Sequence, residues 1–423
     1  MRPLILTSCC HLLLLWLIGS VDGQQWNRFR GPNGSGVSEA ATVPVQWTES
    51  DYNWTLPLPG EGRSSPVSWD KKLFVTSADL ARGERYLLCI HADDGEVLWK
   101  RSFPLSQFKS NKRNGFASHT PAVNASHVFT IWQSTGGSLL VALDHDGQKV
   151  WEYELGGYAG GHGPATSPIV HENLVIVAND QDKKGQSFLI ALDADDGTLR
   201  WKIDRESDRA CYSTPCIYQQ TGKPDMIIFT HSYRGITGVN ALDGTALWEL
   251  DVFGTHNQRA IGSPVIAGDL VIGSSGFTTG IKNVVALQPD GTGGNRETKE
   301  IYRIERSVPH IPTPLVYNGR LFLWSDIGVL GCFDVKTGMP HWQGRVGGNY
   351  FSSPVCVGGR LYCIDQEGVV VVVDATASRL SVLARNQLGE ACSATPAIAD
   401  GCMVLRTSSR LYSLGGEKGK SRP

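Results

Sequence analysis

Beyond its first residues, this 423-residue chain has nothing near the ~20 consecutive apolar residues that cross a bilayer as a helix. It also lacks any long run of like charge. Lys+Arg total 39 against Asp+Glu 41, a formal net charge of -2, which favours neither nucleic acid nor an anionic membrane surface as partner. No G-x-S-x-G elbow, H-E-x-x-H pair or C-x-x-C-H haem attachment site occurs, so those routes to hydrolysis or electron transfer are not offered. The 48 glycines speak for many turns rather than long helices, and the 41% hydrophobic content is ample for a large β core.

The N-terminus carries Arg2, an apolar stretch from Leu12 to Ile18 and the sequence V-D-G ending at Gly23. This reads as a secretory signal peptide, residues 1–23, with cleavage after Gly23 and a periplasmic or secreted product without a membrane span. A lipoprotein anchor would need a cysteine just after the apolar core, whereas Cys9 and Cys10 precede it. Export into an oxidising compartment permits disulfides among the eight cysteines that follow. Cys89 and Cys332 stand where other repeats have Ala142, Ala191, Ala241 and Ala286, which suits small buried residues. The pairs Cys356/Cys363, flanking a Gly358-Gly359 hairpin, and Cys211/Cys216, close in sequence, are the expected bridges.

The stretch Ala191 to Trp201, A-L-D-A-D-D-G-T-L-R-W, reads as strand, tight turn and strand, with Gly197 supplying the positive φ of the turn. It recurs with the Trp always four residues after the Gly: Gly95/Trp99, Gly147/Trp151, Gly197/Trp201, Gly244/Trp248 and Gly338/Trp342. Two worn copies lie at Ala286 to Gly291, without Trp, and Val372 to Val382, without Gly or Trp. The D-A-D-D-G cluster invites a calcium-loop reading, but that register puts Thr198 where an EF-hand needs its glycine and Asp204 where it needs glutamate. Turn chemistry accounts for it.

A second marker runs in phase with the first, a small or hydroxyl residue followed by proline and a β-rich run. It falls at Pro66, Pro121, Pro168, Pro215, Pro264, Pro314, Pro354 and Pro396, at intervals of 40 to 55 residues. Periods of this size mean a solenoid or a propeller, and four strands fit each repeat. The eighth repeat stops before an outer strand, while Tyr52 to Leu56 offers Trp54 with no turn ahead of it. Pairing the two closes a ring and removes the exposed edges. The expected fold is an all-β, eight-bladed β-propeller of four-stranded blades over residues 47–415, closed by an N-terminal strand that completes the last blade. A Gly-rich lead, residues 24–46, precedes it and packs Trp26 and Phe29 onto the domain; a polar tail, residues 416–423, follows.

At Ala191, Asp193, Gly197 and Trp201, and at Cys332, Asp334, Thr337, Gly338 and Trp342, the chain resembles the PQQ-like β-propeller repeat family, whose repeat has the form A-x-D-x-x-T-G-x-x-x-W. The resemblance implies that each Trp stacks on the turn of an adjacent blade, a structural role for Gly95, Trp99, Gly147, Trp151, Gly197, Trp201, Gly244, Trp248, Gly338 and Trp342. Functionally it implies two classes. Quinoprotein dehydrogenases bind pyrroloquinoline quinone with calcium, commonly beside an adjacent cysteine pair; here the adjacent pair is Cys9-Cys10, inside the expected signal peptide. The other class resembles the assembly lipoprotein BamB, a ring without cofactor that serves as an interaction platform. The expectation is a monomeric binding or scaffold module with no catalytic residue, no metal and no cofactor, its partner a protein or small molecule at the propeller face. The alternative is a quinone-dependent oxidoreductase acting on alcohols or sugars.

In a propeller, the segments joining one blade's outer strand to the next blade's inner strand open on one end of the central channel. Here they lie just before each Pro marker and carry Arg63, Arg113, Phe116, His119, His162, Arg209, Tyr212, His256, Arg259, His310, Tyr350 and Glu390. Such loops are either simply solvated or, taken together, a ring of donors suited to an anionic or carbonyl ligand, or to a metal if the His side chains converge, although the four His come from different blades with no short ligand spacing between them.

Overall fold

A computed structural model describes residues 25–105, 111, 113–254, 259–277, 280–289 and 298–416. The expected signal peptide, the tail from residue 417 and His256 lie outside them. The described strands form eight sheets. Blades 1 to 7 span residues 67–104, 122–154, 169–205, 216–250, 265–304, 315–345 and 355–387, each a four-stranded antiparallel meander. Blade 8 takes three strands from residues 397–415 and its outer strand from Tyr52–Pro57, which pairs antiparallel with Arg410–Gly415 and sets Trp54 opposite Ser413. The ring thus closes as the chain ends predict. Among the described residues the only helical pieces are two short 3₁₀ turns, Pro32–Gly34 and Glu49–Asp51.

Strand alternation builds the core between blades rather than within one. In blade 3, Phe188, Ile190 and Leu192 pack against Phe129, Ile131 and Trp151 of blade 2. Their alternating neighbours Leu189 and Ala191 pack against Ile227, Phe229 and Val239 of blade 4. A strand buried on both faces reads as a continuous apolar run, which is why the second and third strands of the repeats carry no period of two. Outer strands do alternate: Leu199–Arg205 buries Trp201 while its neighbours stay exposed. A bulge between Ala191↔Trp201 and Leu192↔Leu199 re-aims the indole.

Four of the five expected indoles, Trp99, Trp151, Trp201 and Trp342, reach forward to the next blade, Trp342 donating to Ala377 O at 3.2 Å; Trp248 instead packs on Gly238 of its own blade, its Nε1 buried without a partner among the described residues. Trp151 lies against Gly197 and donates Nε1 to Ala194 O at 3.0 Å; Trp99 does the same at Gly147 and His145 O, 2.9 Å, and Trp201 at Gly244 and Ala241 O, 3.0 Å. Trp54 completes the seam between blades 8 and 1 against Gly95, donating to Ala92 O at 2.8 Å. The worn fifth repeat keeps the contact with a different residue: Tyr302 lies against Gly338 and donates its hydroxyl to Val335 O at 2.9 Å.

The lead does more than pack two aromatics. Trp26 O accepts Ser68 N in blade 1, Asn27 O accepts Val123 N in blade 2, and Asn33 exchanges two bonds with Ile217 in blade 4. Gly36 O accepts Cys356 N in blade 7, where Val37–Ser38 continues as a parallel strand. One short segment meets the inner strands of blades 1, 2, 4 and 7 only by lying in the channel they surround. Those inner strands present unpaired backbone groups to the channel, and the lead satisfies them. Gly31, at φ 67 with its α-carbon against the Trp26 ring, permits the tight path. Residues 40–48 then run across blades 7 and 8, with Asn386 holding Val45 O and Trp47 N, at the seam whose turn has neither Gly nor Trp.

The expected disulfides do not form. All eight cysteines are free thiols, and seven are buried. Cys356 stands opposite Leu361 in the hairpin, so Cys363 is diagonal to it; the Cys363 thiol bonds Ser352 instead. Cys211 points to Ser232, and burial pushes the Cys216 thiol up to about 12.

Candidate functional site

The eight proline markers mark the throat of the channel. Proline lacks an N–H, which costs nothing at the start of a strand that faces no partner, and it holds the preceding residue extended. That preceding residue is a hydroxyl in every blade: Ser65, Thr120, Ser167, Thr214, Ser263, Thr313, Ser353 and Thr395. Seven of the eight steps round the ring are closed by one residue's N–H donating to the next blade's hydroxyl. The distances run from 2.9 to 3.2 Å, as in Thr120 N to Ser167 Oγ and Thr395 N to Ser65 Oγ. The sequence shows the hydroxyl-proline pairs plainly, but their linkage into a belt needs the ring.

Below this belt lie two arginines of the lead. Arg30, fully buried, donates to Pro314 O and Pro354 O, both at 3.0 Å, and Arg28 donates to Pro215 O. No carboxylate pairs with either in these bonds, and burial lowers both, Arg30 to about 9. Phe29, between them, faces the other way and joins the lining of a cavity of about 210 Å³. The lead is therefore the floor of a one-ended funnel. Its aromatic and arginine content is visible in the sequence, but nothing local says that it enters the channel.

The funnel brings together Arg63, Arg113, His162, Tyr212, Arg259 and His310 from the expected set, with Asn111, Asn114, Phe277 and Phe351 and most of the hydroxyl belt. Arg259 is its best-held member. Nη1 bonds Ala210 O at 2.6 Å and Asp182 Oδ1 at 3.3 Å, Nη2 meets His162 Nδ1 at 3.3 Å, and the guanidinium lies over the Tyr212 ring. Because arginine only donates, His162 accepts at Nδ1 and keeps its proton on Nε2. Burial and the Arg259 charge lower His162. Asp182 is pushed up by burial but more strongly down by the Ala210 and Gly161 amides and Arg259, so it stays ionised.

His310 is of another kind. It is 6% exposed, and neither ring nitrogen has a hydrogen-bond partner. Burial lowers it to about 4 against the pull of Asp326, with Lys282, Arg113 and Arg259 adding to the fall, so it is neutral at pH 7.

Five residues expected at the mouth lie elsewhere. His119 turns into blade 2, bonding Thr130 Oγ1 at 2.8 Å edge-on to Trp132. Tyr350 is fully buried against Trp324, and Glu390 accepts a hydrogen bond from Thr407 on blade 8. Arg209 does not line the cavity, and Phe116 lines only a minor crevice beside His119. Position before a proline marker fixes a loop, not the direction of each side chain on it.

No Asp or Glu is among the described lining residues. Calcium takes six to eight oxygens, usually with carboxylates among them, so this donor set does not fit the calcium of a quinoprotein site. Elsewhere, Asp180, Cys211 and His231 come within metal-ligand reach of one another. That cluster is already engaged: the Arg205 guanidinium is 3.4 Å from Asp180, and His231 bonds Ser207 Oγ and Tyr233 N.

Residues 33–183, 84–317 and 284–422 match the family model described as outer membrane protein assembly factor BamB. Comparison with curated protein sequences finds no match. Among solved structures, BamB from Moraxella catarrhalis superposes with a TM-score of 0.61 at 14% identity over 85% of this chain and 98% of that one. A europium-containing methanol dehydrogenase gives 0.71 at 11% identity over 93% and 98%. Quinohemoprotein alcohol dehydrogenase from Comamonas testosteroni gives 0.65 at 12% over 95% and 82%. At such identities the likeness is one of fold.

Proposed function

Since the chain belongs to the family of the outer membrane protein assembly factor BamB, a family of PQQ-like repeat propellers, we propose that it is a non-catalytic binding module of the cell envelope whose funnel takes an anionic small molecule. The observation that carries this is the lining: Arg63, Arg113 and Arg259 converge there and no Asp or Glu is among the described lining residues. A concave site with low-dielectric walls and one sign of charge concentrates the opposite charge. The same lining argues against the oxidoreductase reading. Proton abstraction from an alcohol needs a base in reach; burial holds both lining histidines below their ordinary range, no described lining residue is a carboxylate, and Asp182 behind the wall is engaged by Arg259. The expected export signal supports an envelope location.

The test is titration of the purified chain with pyrroloquinoline quinone, with and without calcium, and with citrate as a simple polyanion. Citrate binding that is lost in Arg259→Ala, with no calcium-dependent quinone absorbance and no dye-coupled oxidation of alcohols or sugars, is the expected result. Stoichiometric calcium-dependent quinone binding with turnover refutes the proposal.

A further inference from the structure

One position of the connecting loops is fixed in every blade. The third residue before each proline marker lines the funnel in all eight, and it is half-buried while the residue after it is buried. Proline holds the residue before it extended, so the chain enters each marker as a strand would, and every second side chain shows the same face. The hydroxyl belt and this third-residue ring are therefore two tiers of one wall, with the ring nearer the mouth.

The ring has two unlike halves. Blades 4, 5, 6 and 7 contribute Tyr212, Ile261, Ile311 and Phe351, an unbroken arc of large apolar side chains with surface open to the funnel. Blades 8, 1, 2 and 3 contribute Ser393, Arg63, Ser118 and Ala165, which are small or charged. Closing the ring does not require the large side chains, since the same tier closes on serine and alanine opposite them. Phe277, 45% exposed, stands at the mouth on blade 5, on the side of the arc, and Phe29 forms the floor. Apolar surface gathered on one side of a concave site marks where a ligand's own apolar surface is covered.

The charge is set at one end of that arc. Arg259 lies over the Tyr212 ring, and Asp182, Ala210 and His162 pin it with three bonds to a guanidinium that has five N–H donors. Donors remain for a carboxylate. A wholly hydrophilic anion would use this end alone and leave water against the apolar arc. A ligand with an apolar body displaces that water.

We propose that the funnel's ligand is an amphipathic monocarboxylate, its acid group on Arg259 and a compact apolar body, one ring or a branched chain, laid along the arc from Tyr212 to Phe351. This rests on the funnel being an anion site. Size agrees with it: the cavity of about 210 Å³ falls below the ~300–1,000 Å³ of sites for drug-sized ligands.

Isothermal titration of the full chain at pH 7 against phenylacetate, acetate, succinate and phenylethanol tests it. Each buried group of CH₂ size is worth about fourfold in affinity, so phenylacetate with its ring half-buried should bind at least about 10-fold more tightly than acetate or succinate. It should also exceed phenylethanol, which brings Arg259 no charge. Raising NaCl from about 0.1 M to about 0.5 M should weaken all three acids and preserve the ratio of phenylacetate to acetate, because salt screens the charge and not the apolar contact. Ile311→Thr and Phe351→Ser, each checked for folding by circular dichroism, should shrink that ratio. If acetate or succinate binds as tightly as phenylacetate, or the ratio survives in both folded variants, the amphipathic ligand is overturned while the anion funnel stands. If no acid binds, or phenylethanol binds as tightly as phenylacetate, the proposed function itself fails.

Discussion

Gly197→Ala measures what an indole seam is worth. Gly197 sits at φ 74, and a Cβ built there meets the Trp151 ring at 2.7 Å. Two costs follow: about 1–2 kcal/mol for an L-residue in the left-handed region, and about 1–3 kcal/mol for displacing a well-packed ring. Gly222 provides the control in the same protein, since it has nearly the same φ, 76, and nothing within 4 Å of its Cβ position. Gly222→Ala should therefore lose about 1–2 kcal/mol, and Gly197→Ala about 2–5 kcal/mol. Urea midpoints at constant m-value read both directly. The double variant Gly197→Ala/Trp151→Ala should be less destabilised than the two single changes added together, because the clash is gone once the ring is removed. Equal losses at Gly197 and Gly222, or strict additivity in the cycle, refute the view that the Trp151 ring and the Gly197 peptide are one packed unit. Ligand affinity in a folded Gly197→Ala protein should be unchanged, because the seam is on the outer strands and the funnel is at the inner ones.

Tyr302→Phe should cost about 1 kcal/mol, the value of its single bond to Val335 O, because the ring contact with Gly338 remains; no change in the urea midpoint would remove the hydroxyl from the account of that seam. Stability should also fall on mild acidification. His119 and His310 are lowered by burial to about 3 and about 4, so below the unfolded value near 6.5 the unfolded chain takes up protons that the native one refuses. Between pH 7 and pH 5 this amounts to about 2 kcal/mol for each histidine, and His310→Phe should remove one proton from the slope of stability against pH; an unchanged slope would mean that the ring is protonated in the native state.

The proline and tryptophan periods are sequence facts, and they carry the blade count, the phase of the strands and the ring closure through Trp54, because each repeat is a local strand-turn unit whose signals sit at fixed offsets. The same signals identify the loops at the funnel. They do not say which of the more distant loop side chains enter it: Arg259 and His310 face the cavity while Tyr350 and Glu390 turn into their own blades, and no period governs orientation beyond the extended residues next to each proline. Tyr302 escapes the sequence pattern because the seam needs a flat ring with a donor, a requirement that becomes visible only when Gly338 of the next blade is placed against it. The largest gap is the lead. Residues 26–38 hold unremarkable turn chemistry when read alone, and Arg28 and Arg30 look like solvent-facing charges. Their burial follows from a property of the closed ring, whose inner strands leave carbonyls around a channel that one polar, glycine-rich segment can enter and satisfy.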